Sequence, residues 1–149
     1  MLAALYAGSA CSHQQPSDKT LAIQSIYGSN HCAISEVTLK SIGSQAELQN
    51  FLKSMPKNFG MDEMLEPDID FEKQMLILYA LGNKPSSGHS LELYKSDAVL
   101  IKQKLHLPVR IKQPASGSMQ AQVITSPCSI YLLPRVEYSK IVIEGSAGK

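Results

Sequence analysis

Residues 74–94 read QMLILYALGNKPSSGHSLELY, and this stretch decides the fold. Residues 74–81, which are apolar from Met75 onwards, predict a buried strand, whereas residues 89–94 alternate polar and apolar side chains, as a half-exposed strand does. The loop between them carries a proline, which fixes its own φ, and two glycines, which adopt dihedral angles that other residues avoid. The sequence therefore predicts two strands joined by a loop of defined shape.

The loop does not have the pattern of a phosphate-binding loop. A Walker A loop needs four residues between its glycines, followed by Lys and then Ser or Thr. Here five residues separate Gly82 from Gly88, and His89 occupies the position of the lysine. The loop also leads into a strand, so no helix N-terminus follows it to hold an anion. We interpret it as a connection between antiparallel strands.

The rest of the chain predicts a mostly β domain with one helix. Ser44 and Glu47 form a capping box before a helix with apolar residues at helical spacing, which stops at Pro56. The long strand 98–111 contains Pro108, which places it at a sheet edge or at a bulge. We expect an α+β, mostly β fold, either a small sandwich or a partly open antiparallel barrel, with the helix packed on it. Strands are predicted at residues 20–27, 32–40, 71–81, 90–94, 98–111, 119–125 together with 130–133, and 138–143.

The amino end has the pattern of an export signal. A short apolar run ends in Gly8-Ser9-Ala10, and Cys11 follows with polar residues after it. This pattern resembles a bacterial lipoprotein signal, in which the cysteine becomes lipidated, and ordinary signal cleavage just before that cysteine is the alternative. The resemblance implies a signal peptide over 1–10, a polar tether over 11–19 and palmitate on the cysteine. Because Ser12 follows the cysteine, it also implies a lipid anchor in the outer membrane, facing the periplasm.

The other two cysteines form an even pair. If Cys11 carries lipid, Cys32 and Cys128 are left in an oxidising compartment, where disulfides form. A disulfide between them would close a loop of about a hundred residues, and the lost chain entropy would stabilise the fold by about 4 to 5 kcal/mol. Two small buried thiols are the alternative. Sequence leaves both open because it does not report the Cα separation.

No catalytic residue, metal site or cofactor is predicted. The histidines fall at no metal-ligand spacing, and the acids between residues 62 and 72 lack the glycine and closing ligands of a calcium loop. Ser86, Ser87 and His89 lie too close along the chain for attack geometry, and no nucleophile-elbow motif surrounds them. The 14 basic and 13 acidic residues show no basic cluster, so no nucleic-acid partner is indicated. We expect a protein that is not an enzyme.

The loop resembles the signature of the PrcB C-terminal-like family, described as the protease complex subunit PrcB. In that family a strand, a G-x-K-P-T-G-G-Y-like turn and a second strand follow one another. Ser86 stands in place of the threonine, while Ser87 and His89 depart from the second glycine and the tyrosine. Residues 114–117 and 125–128 match the Pro-Gly-type loop and the T-x-P stretch found later in the family. The residues that fit the turn are Gly82, Lys84, Pro85 and Gly88.

The resemblance covers roughly residues 33–144 and implies a domain over 20–144 followed by a tail at 145–149. It implies a protein-binding accessory subunit of the bacterial envelope that supports or stabilises an exported protease. A structural or small-ligand-binding envelope lipoprotein is the alternative function. Contact with the partner is expected at the loop, since shaped loops on a rigid sheet carry recognition. The predicted contact residues are Gly82, Lys84, Pro85, Ser86, Ser87, Gly88 and His89.

Overall fold

A computed structural model describes residues 18–56 and 68–145. The candidate lipidation site Cys11 lies outside these ranges, as do the whole predicted signal peptide, most of the predicted tether, most of the linker after the helix, and residues 146–149. The described ranges contain β1 (Lys19–Ala22), β2 (Gln24–Ser29), β3 (Val37–Ile42), α1 (Gln45–Ser54), β4 (Gln74–Leu81), β5 (Ser90–Leu93), β6 (Asp97–Ile101), β7 (Lys104–Lys112), β8 (Cys128–Pro134) and β9 (Lys140–Gly145).

The strands form two sheets that pack face to face. The central sheet has four antiparallel strands in the order β2-β8-β4-β3, and the outer sheet has the order β1-β6-β7-β5, with β9 also paired to β7. The sheets do not close into a barrel, so of the two predicted architectures the sandwich is the correct one. The β7–β9 pair is parallel, whereas the other strand pairs are antiparallel.

Both faces of the central sheet are covered, which explains why residues 75–81 of β4 are all apolar. Alternate residues of a strand point to opposite faces of its sheet. In β4 the odd-numbered residues from Met75 to Leu81 pack against the outer sheet, and the even-numbered residues from Leu76 to Ala80 pack on the side of α1. A strand between two apolar layers has no face left for polar residues.

The helix lies where its capping pattern predicts it. The Glu47 N–H donates to the Ser44 hydroxyl at 3.2 Å, and the Gly43 N–H donates to the Glu47 carboxylate at 2.8 Å. The carboxylate thus reaches one residue further back than in the usual capping box. Leu48 and Met55 are buried against the central sheet. In the two described ranges no helix is long and apolar enough to cross a membrane.

Two predicted strands are each divided in the structure. Residues 20–27 split at the buried Ile23, whose N–H donates to the Ser96 carbonyl at 2.9 Å, and β1 and β2 join different sheets. Residues 98–111 form the hairpin β6–β7, whose turn residues Lys102 and Gln103 have φ of 47° and 63°. A two-residue hairpin turn requires such angles and usually uses Asn or Gly. This turn therefore had no sequence signal.

The bulge predicted at Pro108 is present. The parallel register between β7 and β9 shifts between Leu107 and Arg110, and Pro108 lies within that shift. A bulge tolerates proline because the ladder is already interrupted there.

Two other strand predictions differ from the structure. Residues 32–36 are not a strand, and β3 begins at Val37. Cys32 is held in a disulfide and Ala33 has a positive φ of 55°, which breaks the extended geometry. Residues 119–125 are not assigned as a strand, although they pair with another segment as described below.

A disulfide joins Cys32 to Cys128. Their Cα atoms lie 6.0 Å apart, and both residues are buried in the cluster that packs on α1. The bond connects the segment before β3 to the first residue of β8. The predicted pairing is confirmed, and the alternative of two free thiols is wrong.

Tyr131 of β8 carries a buried hydroxyl without a partner. The residue is 1% exposed between the two sheets, and no described residue forms a hydrogen bond with its hydroxyl. Burial raises its pKa to about 12, while a tyrosine in an unfolded chain has a pKa of about 10. The folded state therefore favours the neutral phenol.

We expect this phenol to make the protein sensitive to alkali. Its contribution to stability is fully present below pH 10, and about 2 to 3 kcal/mol is lost as pH rises towards 12, because only the unfolded chain then ionises. Tyr131→Phe should raise the free energy of unfolding at pH 8 by about 1 kcal/mol, since a buried unpaired hydroxyl is removed, and it should reduce the alkaline loss. Urea unfolding at pH 8 and pH 11 measures both effects. Tyr138→Phe, at a half-buried position, is the control, and a variant at Tyr131 that loses stability at pH 8 would contradict the argument.

Candidate protein-binding site

The pairing of β4 with β8 continues beyond the ends of both strands. Lys84 and Thr125 exchange both backbone hydrogen bonds, at 2.7 and 3.0 Å. Further out, the Ser87 N–H donates to the Ala121 carbonyl at 3.0 Å. The interpretation of the loop as a connection between paired antiparallel strands is wrong, because β4 and β5 lie in different sheets. The loop is instead one side of an antiparallel extension of the central sheet, and its partner is the segment before β8. We call residues 82–89 and 119–127 the arm.

Segments of the same polypeptide hold the base of the arm on both sides. The Asn83 N–H donates to the Ser35 carbonyl at 3.0 Å, just before β3. On the other side, the Ser126 N–H donates to the Asn30 carbonyl at 2.8 Å, and its carbonyl accepts from the Cys32 N–H at 3.0 Å. The disulfide thus lies at the base of the arm. Further from the base than the Lys84–Thr125 pair, the backbone of the arm forms no hydrogen bond with any described residue outside the arm.

Gly82 allows the chain to enter the arm. It is buried with φ of +71°, and a Cβ at this position would lie 2.9 Å from the Ser35 carbonyl oxygen and 3.0 Å from the Val37 nitrogen. Both the angle and the close approach favour glycine over other residues. Its role is therefore to shape the base of the arm.

Ser87 bridges the two sides of the arm. Its hydroxyl donates to the Gln120 side-chain oxygen at 3.1 Å and accepts from the Ala121 N–H at 3.1 Å. Gly88 follows with φ of +89°, and a Cβ there would lie 3.0 Å from both the Gln120 Cδ and the Pro114 Cγ. These contacts hold the end of the predicted loop against the later segment.

The polar groups of Ser86 and His89 contact one another, Ser87 and Thr125. The Ser86 carbonyl accepts from the Thr125 hydroxyl at 3.0 Å and lies 3.3 Å from Nδ1 of His89. The Ser86 hydroxyl donates to the Ser87 carbonyl at 3.1 Å. His89 Nδ1 therefore faces a carbonyl, whereas activation of a serine nucleophile requires a base beside its hydroxyl. That the protein is not an enzyme stays a prediction.

Exposed apolar side chains are concentrated at the arm. Met119, Val123 and Ile124 of the arm are 99%, 50% and 73% exposed, whereas Val37, at the start of β3 and outside the arm, is 69% exposed. Pro85 is also exposed, and Lys84 is half-buried. Residues 119–124 were not among the predicted contact residues, although their alternating pattern did predict a strand. The seven predicted contact residues all lie on the loop segment of the arm, and the structure pairs residues 119–127 with that segment. Contact of these residues with a partner stays a prediction.

The structure favours a small-ligand or metal site less than it favours a protein-binding arm. An open cavity of about 500 Å³ lies beside Arg135 and Tyr138. The Arg135 guanidinium donates to the carbonyls of Phe71 at 2.8 Å and Gly43 at 3.4 Å, so its charge is directed at the protein's own backbone. Across the residues that the structure describes, no three His, Cys, Asp or Glu side chains are grouped so that they could hold a metal ion.

Comparison with protein families gave one match to the part of the chain that contains the arm. Residues 75–133 match the family described as PrcB C-terminal. The matched range begins in β4, ends in β8 and includes the whole arm, and it is narrower than the 33–144 expected from the motifs. Comparisons with curated proteins and with solved structures gave no significant match. The resemblance noted from the loop is confirmed.

Proposed function

We propose that this chain, whose residues 75–133 match the family described as PrcB C-terminal, is an accessory domain that binds an exported protease through the arm. The observation that carries the proposal is the position of the exposed apolar residues. Among the residues that the structure describes, three of the four exposed large apolar side chains lie on the arm, within the range that matches the family. Exposed apolar groups clustered on one projection are typical of an interaction surface.

The arm is organised before any partner binds. Its base is flanked on both sides and lies next to the disulfide, and the Ser87 hydroxyl bridges its two segments. A surface that is already ordered loses little conformational entropy on association, so more of the contact energy is available as affinity. Met119, Val123 and Ile124 would supply the apolar contacts at the centre of such an interface.

We further propose that the domain is not an enzyme and is anchored by lipid at Cys11 to the outer membrane, facing the periplasm. Two or more acyl chains, at about 0.8 kcal/mol per buried CH₂, give lasting attachment where one chain does not. Anchoring also confines the domain to the surface where an exported protease passes, which raises their effective concentration. The protein would then support the protease without taking part in its chemistry.

The capture of the protease from envelope extracts tests the proposed function. We expect tagged wild-type protein to retain an exported protease, identified by mass spectrometry and by its hydrolytic activity. The double variant Val123→Ser and Ile124→Ser should retain at least about fivefold less, because about 1 kcal/mol or more of contact energy is lost. Val37→Ser is the matched control, since it is equally exposed but lies outside the arm. Equal losses in both variants, or no protease in the wild-type sample, would refute the proposal.

The anchor is tested separately by fractionation. We expect the wild-type protein to be labelled by palmitate and recovered with outer membranes, and Cys11→Ala to be unlabelled and soluble. Ser12→Asp should keep the label but move the protein to the inner membrane, because aspartate at that position is the usual retention signal. Wild-type protein that is soluble and unlabelled would show that the amino end is an ordinary cleaved signal.

A further inference from the structure

The segment Gln122–Ile124 has a strand edge with no partner. In an antiparallel pair, successive residues direct their N–H and C=O groups to alternate sides. Ala121 and Thr125 direct theirs to the loop side of the arm, at Ser87 and Lys84. The backbone groups of Gln122 and Ile124 therefore point to the opposite side, and no described residue forms a hydrogen bond with them. Both residues are exposed.

The other edge of the arm is closed to strand addition. Pro85 follows Lys84, and the chain bends over residues 85–87, so the outer side of the loop segment offers no regular run of peptide groups. Proline has no N–H to donate, and natural sheets use it to protect exposed edges. Pro85 is exposed, as such a blocking residue must be. The arm thus has one protected edge and one open edge.

The open edge also has side chains that favour a strand. Val123 and Ile124 are β-branched, a type enriched in strands, and their successive positions direct them to opposite faces of the arm. Residues 119–125 have a strand pattern in the sequence, yet the structure pairs them along one side alone. The segment therefore has a strand pattern and an open edge, whereas the opposite edge of the arm is blocked by Pro85. This combination indicates that a third strand is supplied by residues other than those that the structure describes.

We propose that Gln122–Ile124 is a docking edge to which an extended segment of the protease partner adds as a third strand of the arm. This inference rests on the proposed function and specifies how the same site would bind. The unpaired peptide groups select a peptide backbone, which presents alternating donors and acceptors at matching spacing. Apolar or β-branched side chains on the incoming strand would pack against Val123 and Ile124.

Titration of the purified full chain with a strand-forming peptide tests the docking edge. The probe is the acetylated and amidated heptapeptide Thr-Val-Thr-Val-Thr-Val-Thr, and its control is the same peptide with N-methyl groups on alternate amides. We expect amide chemical shifts to change most at residues 122–124, and hydrogen exchange of Gln122 and Ile124 to slow about tenfold or more as their N–H groups become paired. The N-methylated peptide should have no effect, because it cannot complete the ladder.

Variants separate backbone pairing from side-chain contact. Ile124→Pro removes an outward N–H and should abolish the response, whereas Ile124→Thr keeps that N–H with a β-branched side chain and should retain most of it. If Ile124→Pro fails to fold, Gln122→Pro provides the same test, and the N-methylated peptide provides it in the wild-type chain. Shifts at another strand edge, an equal response to the N-methylated peptide, or no response at millimolar peptide would overturn the proposal.

Three further outcomes separate this inference from self-association and from the proposed function. Concentration-dependent shifts at residues 122–124 without peptide would assign the edge to a second copy of this chain and overturn the hetero-partner proposal. If the protease is captured equally well by wild-type protein and by Ile124→Pro, the docking edge fails while the accessory function stands. If the peptide docks as expected but no protease is captured, the accessory function fails while the edge remains a peptide-binding site.

Discussion

Replacing both Cys32 and Cys128 with alanine is expected to lower the free energy of unfolding by about 4 to 5 kcal/mol. The disulfide spans 96 positions of the chain, and a closed loop of about this length removes a corresponding amount of chain entropy from the unfolded state. Alanine is suitable because both residues are buried among apolar side chains. Urea denaturation of the oxidised wild-type protein and the double variant, at equal pH and temperature, measures the difference.

The same experiment has internal controls. Cys11→Ala leaves the disulfide in place and should not change the unfolding midpoint. The wild-type protein unfolded with a reductant should lose about as much stability as the double variant. A loss below about 1 kcal/mol would show that the reduced unfolded chain is already compact, since residual structure weakens the entropic effect of a cross-link.

Loss of the disulfide should also loosen the arm. Cys32 donates to the Ser126 carbonyl at the base of the arm, and Cys128 begins β8 immediately after the arm. Hydrogen exchange at the Cys32 and Thr125 amides should therefore accelerate more than exchange in β7, which lies in the other sheet. Uniform acceleration throughout the molecule would mean that the disulfide stabilises the fold as a whole and not the arm in particular.

Gly82→Ala is expected to destabilise the protein by about 2 to 5 kcal/mol. The residue has φ of +71°, and a Cβ would approach three backbone atoms of residues 35–37 at 2.9 to 3.1 Å. The left-handed conformation costs about 1 to 2 kcal/mol for a residue other than glycine, and forcing apart close-packed backbone costs about 1 to 3 kcal/mol more. Backbone atoms cannot turn aside as a flexible side chain does.

Gly117→Ala is the matched control for this substitution. Gly117 has a similar φ of +76°, but nothing lies within 4 Å of the position that a Cβ would take. Its replacement should therefore cost only the conformational part, about 1 to 2 kcal/mol. Thermal melts and urea unfolding of both variants measure the difference. Equal losses would show that the close approach at Gly82 is relieved by movement of residues 35–37.

Much of the molecule was predictable because its signals are local. The capping pattern at Ser44 and Glu47 correctly predicts α1, and the apolar run 75–81 correctly predicts a strand buried on both faces. Each depends on residues within one or two turns or strand positions, where helix capping and side-chain alternation act. The family motif around Gly82 and Gly88 is local as well, and it located the loop side of the arm.

Other features depend on contacts between distant parts of the chain, and only the tertiary structure decided them. β1 and β2 separate at Ile23 because each pairs with a different sheet. The parallel pairing of β9 with β7 has no local signal either, since parallel partners are never joined by a tight turn.

The candidate site combines both kinds of information. Its chemistry is in the sequence, since the glycines, Pro85 and the β-branched pair at 123–124 are read directly from the chain. Only the tertiary structure shows that the loop pairs with a later segment, Lys84 with Thr125 and Ser87 with Ala121. This register leaves one edge of the arm open, and Pro85 blocks the other. Sequence by itself determined which residues can form strands, caps and turns, because those preferences arise within a few residues. Tertiary structure alone decided which strand edges are paired and which stay open, because that depends on where β4 and β8 meet.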